Sequence, residues 1–381
     1  MHQAAENNNI DIIYYLLLQD EEIETQYFRG CHYLRRISIP PTIKTINSSS
    51  FQKCLHLTHV SIPSSVTTIC DKAFFDCSLL EQISAPSVIK YGFGTFSGCT
   101  FLKKVRLSPD LPIIDEHLFF GCENLKHINM PPFCTSIGNN SFFRCLSLKH
   151  LNIPSTVKSI GSYCFDGCQS LEQLILPETL TSLGSFAFHR CESLKKMKIP
   201  ASVTSLGDSL LSYCKSLEHI EILCQLNEIK NYAFETCESL KEITIPPSVT
   251  SIGIRSFCFC YALTQITIPP LVKTIGNFSF QNCTALAKIE LPSSLKSINK
   301  NAFFGCTALR EISIPSSVIE IDDFAFSHCS SLQNFTVPSS VQLMGKGVFK
   351  NCTSLTQISI PATINPKNLG LDGNTQVIIT H

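Results

Sequence analysis

The sequence predicts a repeat solenoid, a fold in which short, similar units stack along one axis. Three observations predict it. Fifteen of the twenty cysteines recur every 23 residues, with a single step of 22 between Cys77 and Cys99. A Phe precedes each of these cysteines by three residues, with Leu211 as the one exception, and a Leu follows each by three residues. A fixed period of this length is typical of solenoids. The periodic cysteines are Cys31, Cys54, Cys77, Cys99, Cys122, Cys145, Cys168, Cys191, Cys214, Cys237, Cys260, Cys283, Cys306, Cys329 and Cys352.

Composition excludes several classes of protein. The chain has 381 residues, of which 44% are hydrophobic and 16% are charged, so it has enough apolar surface to fold. Lys and Arg together number 30, as do Asp and Glu, so no net charge draws the whole chain to nucleic acid or to a membrane. No apolar stretch reaches the roughly 18 residues of a membrane-spanning helix. With no secretory signal in view, we expect a cytoplasmic protein without membrane insertion.

The residues between two periodic cysteines predict one strand and one turn per unit. Ile243-Thr244-Ile245 alternates with period two, which places both Ile side chains on one face. Pro246 lacks an N–H group and ends the strand. Gly253 is expected to permit a tight turn of the backbone. One unit cannot bury its own apolar side, whereas stacked units bury Leu, Ile, Val and Phe in continuous columns.

The unit resembles the leucine-rich repeat of BspA-like proteins. The matching residues are the strand L-x-x-I-x-I-P at 240–246, the turn S-V-x-x-I-G at 248–253 and the segment A-F-x-x-C at 233–237. The resemblance extends over residues 27–364. It implies an α/β repeat solenoid, namely a curved, right-handed leucine-rich repeat solenoid of about fifteen 23-residue repeats. It also implies a parallel β-sheet on the concave face and short helical or extended turns on the convex face.

Both ends depart from the repeat. Residues 1–26 are predicted to form a helical cap with an apolar stripe of Ile12, Tyr15, Leu16 and Ile23. They resemble half an ankyrin repeat, with H-x-A-A at 2–5 followed by N-x-D-I-I-x-x-L-L-L at 9–18. The segment is therefore either a plain cap or the remnant of an ankyrin–leucine-rich-repeat fusion, which would make the chain a regulatory fragment of a larger protein. Residues 365–381 are predicted to cap the other end, with 376–380 as a final edge strand.

The periodic cysteines are interpreted as a column of buried, reduced thiols. Zinc sites use paired ligands such as C-x-x-C, which the sequence lacks. Side chains at one position of successive repeats point in parallel, which disfavours disulfides between them. We therefore predict no metal site and no cofactor. The one-residue deletion lies between Pro86 and Phe96, in the convex connection, so the strands on either side are predicted to stay in register.

A basic stripe is the candidate binding site. The outward x positions of L-x-x-I-x-I in repeats four to eight hold eight cations and one carboxylate, Glu172. This stripe is predicted to dock an acidic partner. The alternative is a solvated face that prevents lateral aggregation, a common role of Lys side chains. The predicted binding residues are Lys103, Lys104, Arg106, Lys126, His127, Lys149, His150, Lys195, Lys196 and Lys198.

The function predicted from these features is that of a non-catalytic, monomeric scaffold for protein–protein interaction. The chain has no nucleophile, phosphate-loop or metalloprotease motif, so no catalytic residue is predicted. The expected partner is an acidic protein. Nucleic acid is a weaker expectation because no aromatic residue is interleaved with the cations. The resemblance to BspA-like proteins implies an alternative, a cell-surface adhesin or antigen that binds host matrix or host cells.

Overall fold

The computed structural model describes residues 10–380 of the chain, which folds as two compact units, Met1–Leu194 and Lys195–His381. Each unit is a stack of parallel coils about 23 residues apart, which confirms the predicted leucine-rich repeat solenoid. We number the repeats 1 to 15 by their periodic cysteines, from Cys31 to Cys352. Every described strand pair is parallel, as stacking of identical coils requires.

The predicted I-x-I strands form one set, here called the long strands. They pair through neighbouring repeats, with the central apolar residue of one strand, an Ile, Leu or Val, opposite that of the next. In repeats 10 and 13 the equivalent segments, around Ile243 and Ile312, do not form strands. The long strands are β2 (Arg36–Ser38), β4 (His59–Ser61), β6 (Gln82–Ser84), β8 (Lys104–Arg106), β10 (His127–Asn129), β12 (His150–Asn152), β14 (Gln173–Ile175), β16 (Lys196–Ile199), β17 (His219–Ile222), β20 (Gln265–Thr267), β22 (Lys288–Glu290), β25 (Asn334–Thr336), β27 (Gln357–Pro361) and β28 (Gln376–Thr380).

A second set of parallel strands lies after the I-x-I segment in most repeats and was not predicted. These short strands have two residues each, of which the second is generally a buried Ile. They are β1 (Glu22–Ile23), β3 (Thr45–Ile46), β5 (Thr68–Ile69), β7 (Lys90–Tyr91), β9 (Ile113–Ile114), β11 (Ser136–Ile137), β13 (Ser159–Ile160), β15 (Ser182–Leu183), β18 (Glu228–Ile229), β19 (Ser251–Ile252), β21 (Thr274–Ile275), β23 (Ser297–Ile298), β24 (Glu320–Ile321) and β26 (Leu343–Met344).

The segment around each periodic Phe forms a ribbon of turns rather than a helix. Alternate N–H groups bond to the next repeat and to the same repeat. Phe74 donates to the carbonyl of Thr95 at 2.9 Å, and Cys77 donates to the carbonyl of Phe74 at 3.2 Å. The residues two before and two after the Phe have positive φ, as at Lys72 (54°) and Asp76 (56°). A non-glycine residue in this conformation costs roughly 1–2 kcal/mol, which the bonds between repeats offset.

Phe, Cys and Leu form the buried columns. Successive Phe rings stack with centroids 5.0–5.8 Å apart in the first unit and 5.3–6.0 Å apart in the second. All fifteen periodic cysteines are at most 2% exposed, and the Leu that follows each is at most 4% exposed. The predicted burial of the thiol column is confirmed, and every cysteine of the chain is a free thiol.

Thirteen of the fifteen periodic thiols also donate a hydrogen bond to a backbone carbonyl of the preceding repeat, which the sequence interpretation missed. Cys54 Sγ donates to the carbonyl oxygen of Phe28 in the preceding repeat at 3.0 Å, and Cys283 Sγ donates to that of Phe257 at 3.1 Å. Thirteen such bonds of 3.0–3.4 Å recur along the chain. Cysteine thus packs as a small apolar side chain and also donates to a backbone carbonyl. That carbonyl already accepts one N–H bond within its own repeat and can accept a second bond.

The glycine after the short strand serves close packing, not a turn that needs positive φ. Turn residues do follow Gly253, but the sequence did not indicate that adjacent coils approach each other closely there. A Cβ atom at Gly253 would lie 2.7 Å from the backbone nitrogen of Asn231 and 2.7 Å from the carbonyl oxygen of Ile229 in the preceding repeat. The backbones of adjacent coils approach so closely here that a side chain requires a local shift.

The shortened repeat keeps its long strands in register, as predicted. Gln82 of β6 lies opposite Lys104 of β8, and Ser84 lies opposite Arg106. The short strands instead separate between β7 and β9. The residue before β9 is Pro112, which stands where Thr67 and Thr135 donate an N–H to the preceding repeat. Since proline has no N–H, the backbone hydrogen bond between the two repeats is missing at Pro112.

The two ends of the chain are closed by different elements. The helix α1 (Ile10–Leu17) contacts β2 and buries Ile13 and Leu17. The predicted stripe was wrong for Tyr15 and Leu16, which are exposed, whereas Ile23 is buried, although it lies in β1 and not in a helix. The H-x-A-A segment at 2–5 and the side chain of Ile12 lie outside the described residues. At the other end, a 3-10 helix (Pro366–Asn368) precedes β28, which pairs with β27 and confirms the predicted final edge strand.

Candidate binding face

The outward positions of the long strands form a solvent-exposed surface in each unit, here called the strand face. Strand β8 shows the pattern, because Val105 is buried while Lys104 and Arg106 on either side are exposed. All ten residues predicted for the basic stripe are exposed. The sequence pattern therefore identified the correct side of each strand.

Part of the stripe surrounds one groove in the first unit. Lys104, Arg106 and Lys126 line a groove of about 450 Å³ together with His127 and His150. We call these five residues the basic patch. Strand pairing sets their spacing, since Lys104 lies opposite His127 on the adjacent strand. Neighbouring strands are about 4.8 Å apart, which is less than the Debye length of about 8 Å at physiological salt, so the positive fields of the patch reinforce one another.

Acidic residues neutralise two further lysines of the stripe. Lys103 Nζ lies 3.4 Å from Glu81 Oε2, and Lys149 Nζ lies 3.8 Å from Glu172 Oε1. Both pairs are exposed, so they contribute little to stability. Within residues 13–380, Lys104, Arg106 and Lys126 have no ion-pair partner. These three cations are therefore available to an external anion.

The remaining stripe residues belong to the second unit and have a different setting. Lys195, Lys196 and Lys198 are exposed on or next to β16. Lys196 lies opposite His219, and Lys198 lies opposite Glu221 on β17. The carboxylate of Glu221 thus reduces the local positive potential. A single stripe that joins these lysines to the basic patch stays a prediction.

A second groove in the first unit escaped the sequence interpretation. Arg36, His59 and the serines Ser38, Ser61 and Ser84 line a groove of about 650 Å³ on repeats 1 to 3. These residues occupy the same outward positions as the stripe. The available signal was that the outward positions of repeats 1 to 3 hold only one carboxylate, Glu81, a weaker pattern than a run of lysines.

The thiols are not arranged as nucleophiles. Burial raises the pKa of Cys54 and of Cys352 to about 12 and raises that of Cys77 well above its usual range, which keeps these groups protonated at neutral pH. Reactive cysteines have lowered pKa values. Within the described residues, no three His, Cys, Asp or Glu side chains come together as metal ligands. Nor does any helix of this part of the chain have the length and apolarity to cross a membrane.

The chain is similar to several solved structures. One is a leucine-rich repeat protein from Bacteroides ovatus, with 28% identity, a TM-score of 0.73 and coverage of 94% of this chain and 87% of that one, and this similarity supports the same architecture. A leucine rich cell surface protein from Faecalibacterium prausnitzii is 23% identical, with a TM-score of 0.44 and coverage of 91% and 88%. The pneumococcal vaccine antigen PcpA is 19% identical, with a TM-score of 0.38 and coverage of 91% and 79%. A comparison with curated proteins gave no match.

The family follows from the repeats themselves. The sequence matches the BspA type leucine rich repeat region (6 copies) over residues 21–149, 135–264 and 250–368. Nothing in these matches supports an ankyrin-like unit at the N-terminus. Leucine-rich repeat proteins are generally non-catalytic scaffolds. The chain belongs to the BspA type leucine-rich repeat family.

Proposed function

We propose that the protein is a non-catalytic scaffold that binds an acidic protein segment through the basic patch of its first unit. The observation behind this proposal is the set of three exposed cations, Lys104, Arg106 and Lys126, that have no carboxylate partner in the described part of the chain. A face whose only role was solvation would gain from interspersed charges of both signs. The charges around this groove instead have one sign.

The geometry favours a peptide-like partner. Lys104 and Arg106 project from one strand on either side of a buried Val, and Lys126 lies at the start of the next repeat, where its N–H donates to the carbonyl of Lys103 at 3.1 Å. The three charged side chains are attached at separate positions of an ordered backbone, so they do not converge on one point. Arg106 adds a planar donor suited to a carboxylate. Carboxylates on an extended or helical segment fit this set of separate donors.

A binding assay with a defined probe tests the proposal. Fluorescence anisotropy of a labelled oligoglutamate peptide should show binding that weakens as salt rises from about 50 to about 300 mM, because salt screens exposed charges. The triple variant Lys104→Glu, Arg106→Glu, Lys126→Glu should lose this binding. Its thermal stability should stay close to that of the wild type, since exposed charges contribute little to folding.

A matched control separates local binding from net charge. Lys53, Lys90 and Lys158 are exposed outside the strand face, and Glu at these three positions changes the net charge by the same amount. This control should bind the peptide nearly as well as the wild type. Equal losses in both triple variants would contradict a local site. If the protein preferred heparin or single-stranded DNA to the peptide, its partner would be another polyanion and not an acidic protein segment.

Lys195, Lys196 and Lys198 form a second arm of the test. The triple Glu variant at these positions probes the basic segment of the second unit by itself. We expect a smaller loss than in the first unit, because Glu221 lies opposite Lys198.

We also propose that the scaffold works in a reducing compartment. Its twenty cysteines are free, and the column donates thiol hydrogens to backbone carbonyls, a role that ends on oxidation. Reduced thiols are typical of the cytosol. Localisation of a tagged chain, combined with protease treatment of intact cells, tests this proposal. Cleavage by external protease would favour the surface adhesin that the family resemblance implies.

A further inference from the structure

At strand β28 of the second unit, two columns of core side chains are left partly exposed to solvent. Val377 and Ile379 of β28 lie opposite Ile358 and Ile360 of β27. These two partners are completely buried, whereas Val377 is 36% exposed and Ile379 is 44% exposed. Within the described residues, no further coil covers β28. The outer edge of β28 thus presents two partly exposed apolar side chains.

The turn side of the last coil, in contrast, is covered by residues that follow it. On the turn side, Gly347 N–H donates to the carbonyl of Asn368 at 2.7 Å, and Phe349 N–H donates to that of Leu369 at 2.9 Å. The 3-10 helix and the residue after it thus take the place of a further repeat there. An occupant that covers Val377 and Ile379 would therefore extend β28 itself.

The backbone of β28 offers unpaired groups along its outer edge. Gln376 N–H donates to the carbonyl of Thr356 at 2.8 Å, and the carbonyl of Thr380 accepts from Ala362 at 3.2 Å. Because pairing alternates along a strand, the N–H and C=O groups of Val377 and Ile379 point away from β27. The strand has no charge and no proline, the two devices that commonly prevent edge pairing.

We propose that β28 pairs antiparallel with β28 of a second copy of this chain. The strand reads Gln-Val-Ile-Ile-Thr, an order of polar and apolar residues that is the same in both directions. A twofold axis at Ile378 places Val377 opposite the second copy's Ile379 and Gln376 opposite its Thr380. Apolar residues then meet apolar residues, and no like charges oppose each other. Such an interface is isologous and closes at two copies.

The expected complex is weak and reversible. Specific dimers commonly bury about 1,200–2,000 Å², and a pair of five-residue strands buries less. We therefore expect a dimer whose population rises with protein concentration. This proposal departs from the monomer expected from sequence and does not depend on the basic patch.

Sedimentation equilibrium of the full chain tests the pairing. The variant Ile379→Pro removes an outward N–H without removing a bond to β27, since proline is tolerated at a strand edge. It should weaken dimerisation about tenfold or more, which corresponds to about 1.4 kcal/mol. Ile379→Lys should weaken it similarly. Gln357→Lys, which adds the same charge at an exposed position of β27, should leave it unchanged.

Crosslinking provides a test that does not need a destabilising change. The two copies of Ile378 would form a non-hydrogen-bonded pair, with Cα atoms about 4.5 Å apart, within the range of about 4.4–6.8 Å for a disulfide. The variant Ile378→Cys should therefore form covalent dimers under mild oxidation, and Thr380→Cys should form far fewer. A wild-type chain that stays monomeric, a dimer that Ile379→Pro leaves intact, assemblies larger than two copies, or equal crosslinking at both positions would overturn the proposal.

Discussion

The turn ribbon and the strand face of each repeat follow opposite rules. In the turn ribbon, Phe, Cys and Leu recur in almost every repeat because each meets the same residue of the adjacent repeat. Phe142, for example, stacks between Phe119 and Phe165 at 5.5 and 5.3 Å. On the strand face, the outward residues change from repeat to repeat because no fixed neighbour constrains them. Repetition in this chain thus marks packing, and variation marks the surface available for recognition.

The largest expected effect concerns the buried thiols of the turn ribbon, which should make the protein less stable at alkaline pH. Burial raises the thiol pKa at twelve of the periodic cysteines. A raised pKa in the folded state gives stability that is present below the unfolded value of 9.0 and is lost as pH rises above it. Each thiol should reduce the free energy of unfolding by about 1.4 kcal/mol per pH unit there. Urea unfolding under reducing conditions at about pH 8 and about pH 10 measures this loss, and equal stabilities would contradict it.

Truncation of one ring in the Phe column should have the next largest effect. Phe142→Ala removes a fully buried side chain and should lower the free energy of unfolding by about 3–5 kcal/mol, as measured by urea denaturation. Phe133→Ala is the matched control, because Phe133 is 66% exposed and its truncation should change stability little. Similar losses in the two variants would mean that the column does not hold the stack together.

Loss of one thiol should have a moderate effect. Cys283→Ala removes a buried sulfur and its bond to the carbonyl of Phe257, which should cost about 1–2 kcal/mol. Cys70 lies outside the periodic column and is partly exposed, so Cys70→Ala should cost less. A Cys283→Ala variant as stable as the wild type would indicate that the thiol bond adds nothing to packing.

The smallest effect concerns the break between β7 and β9. Pro112→Thr supplies an N–H at the position where Thr67 and Thr135 donate to the preceding repeat. The new amide should become protected from hydrogen exchange through a bond to Ile89, with a stability change within about 1 kcal/mol because proline also restricts the unfolded chain. Fast exchange of that amide would mean that Tyr91, the bulky residue in the Ile position of β7, causes the break instead.

The sequence predicted those features that have a period and a residue preference. The buried Ile of the long strands and the thiol column met both conditions. The short strands escaped because a two-residue strand such as Thr68–Ile69 shows no alternation. The left-handed positions escaped because glycine occupies only a minority of them, such as Gly98 and Gly121, whereas residues as different as Lys72 and Asp76 occupy others. The helical stripe of residues 10–17 was misassigned because Ile12, Ile13, Tyr15, Leu16 and Leu17 are all apolar or aromatic, which leaves the buried face undefined.

The sequence predicted which residues lie on the strand face, but not which of its cations are neutralised by carboxylates. Alternation alone identified Lys104 and Arg106 as outward. The ion pairs that neutralise Lys103 and Lys149 depend on which glutamates reach across adjacent repeats, and this follows from side-chain geometry rather than period. The basic patch is therefore smaller than the predicted stripe and lies in one groove.

Lysine footprinting tests most directly whether the variable face is the site of recognition. The wild-type chain is acetylated briefly with and without an excess of oligoglutamate peptide, and modification is read by mass spectrometry. Lys104 and Lys126 should be protected by the peptide, while the exposed Lys53, Lys90 and Lys158 outside the strand face react as before. Protection spread evenly over both groups, or confined to the lysines outside the strand face, would contradict the account.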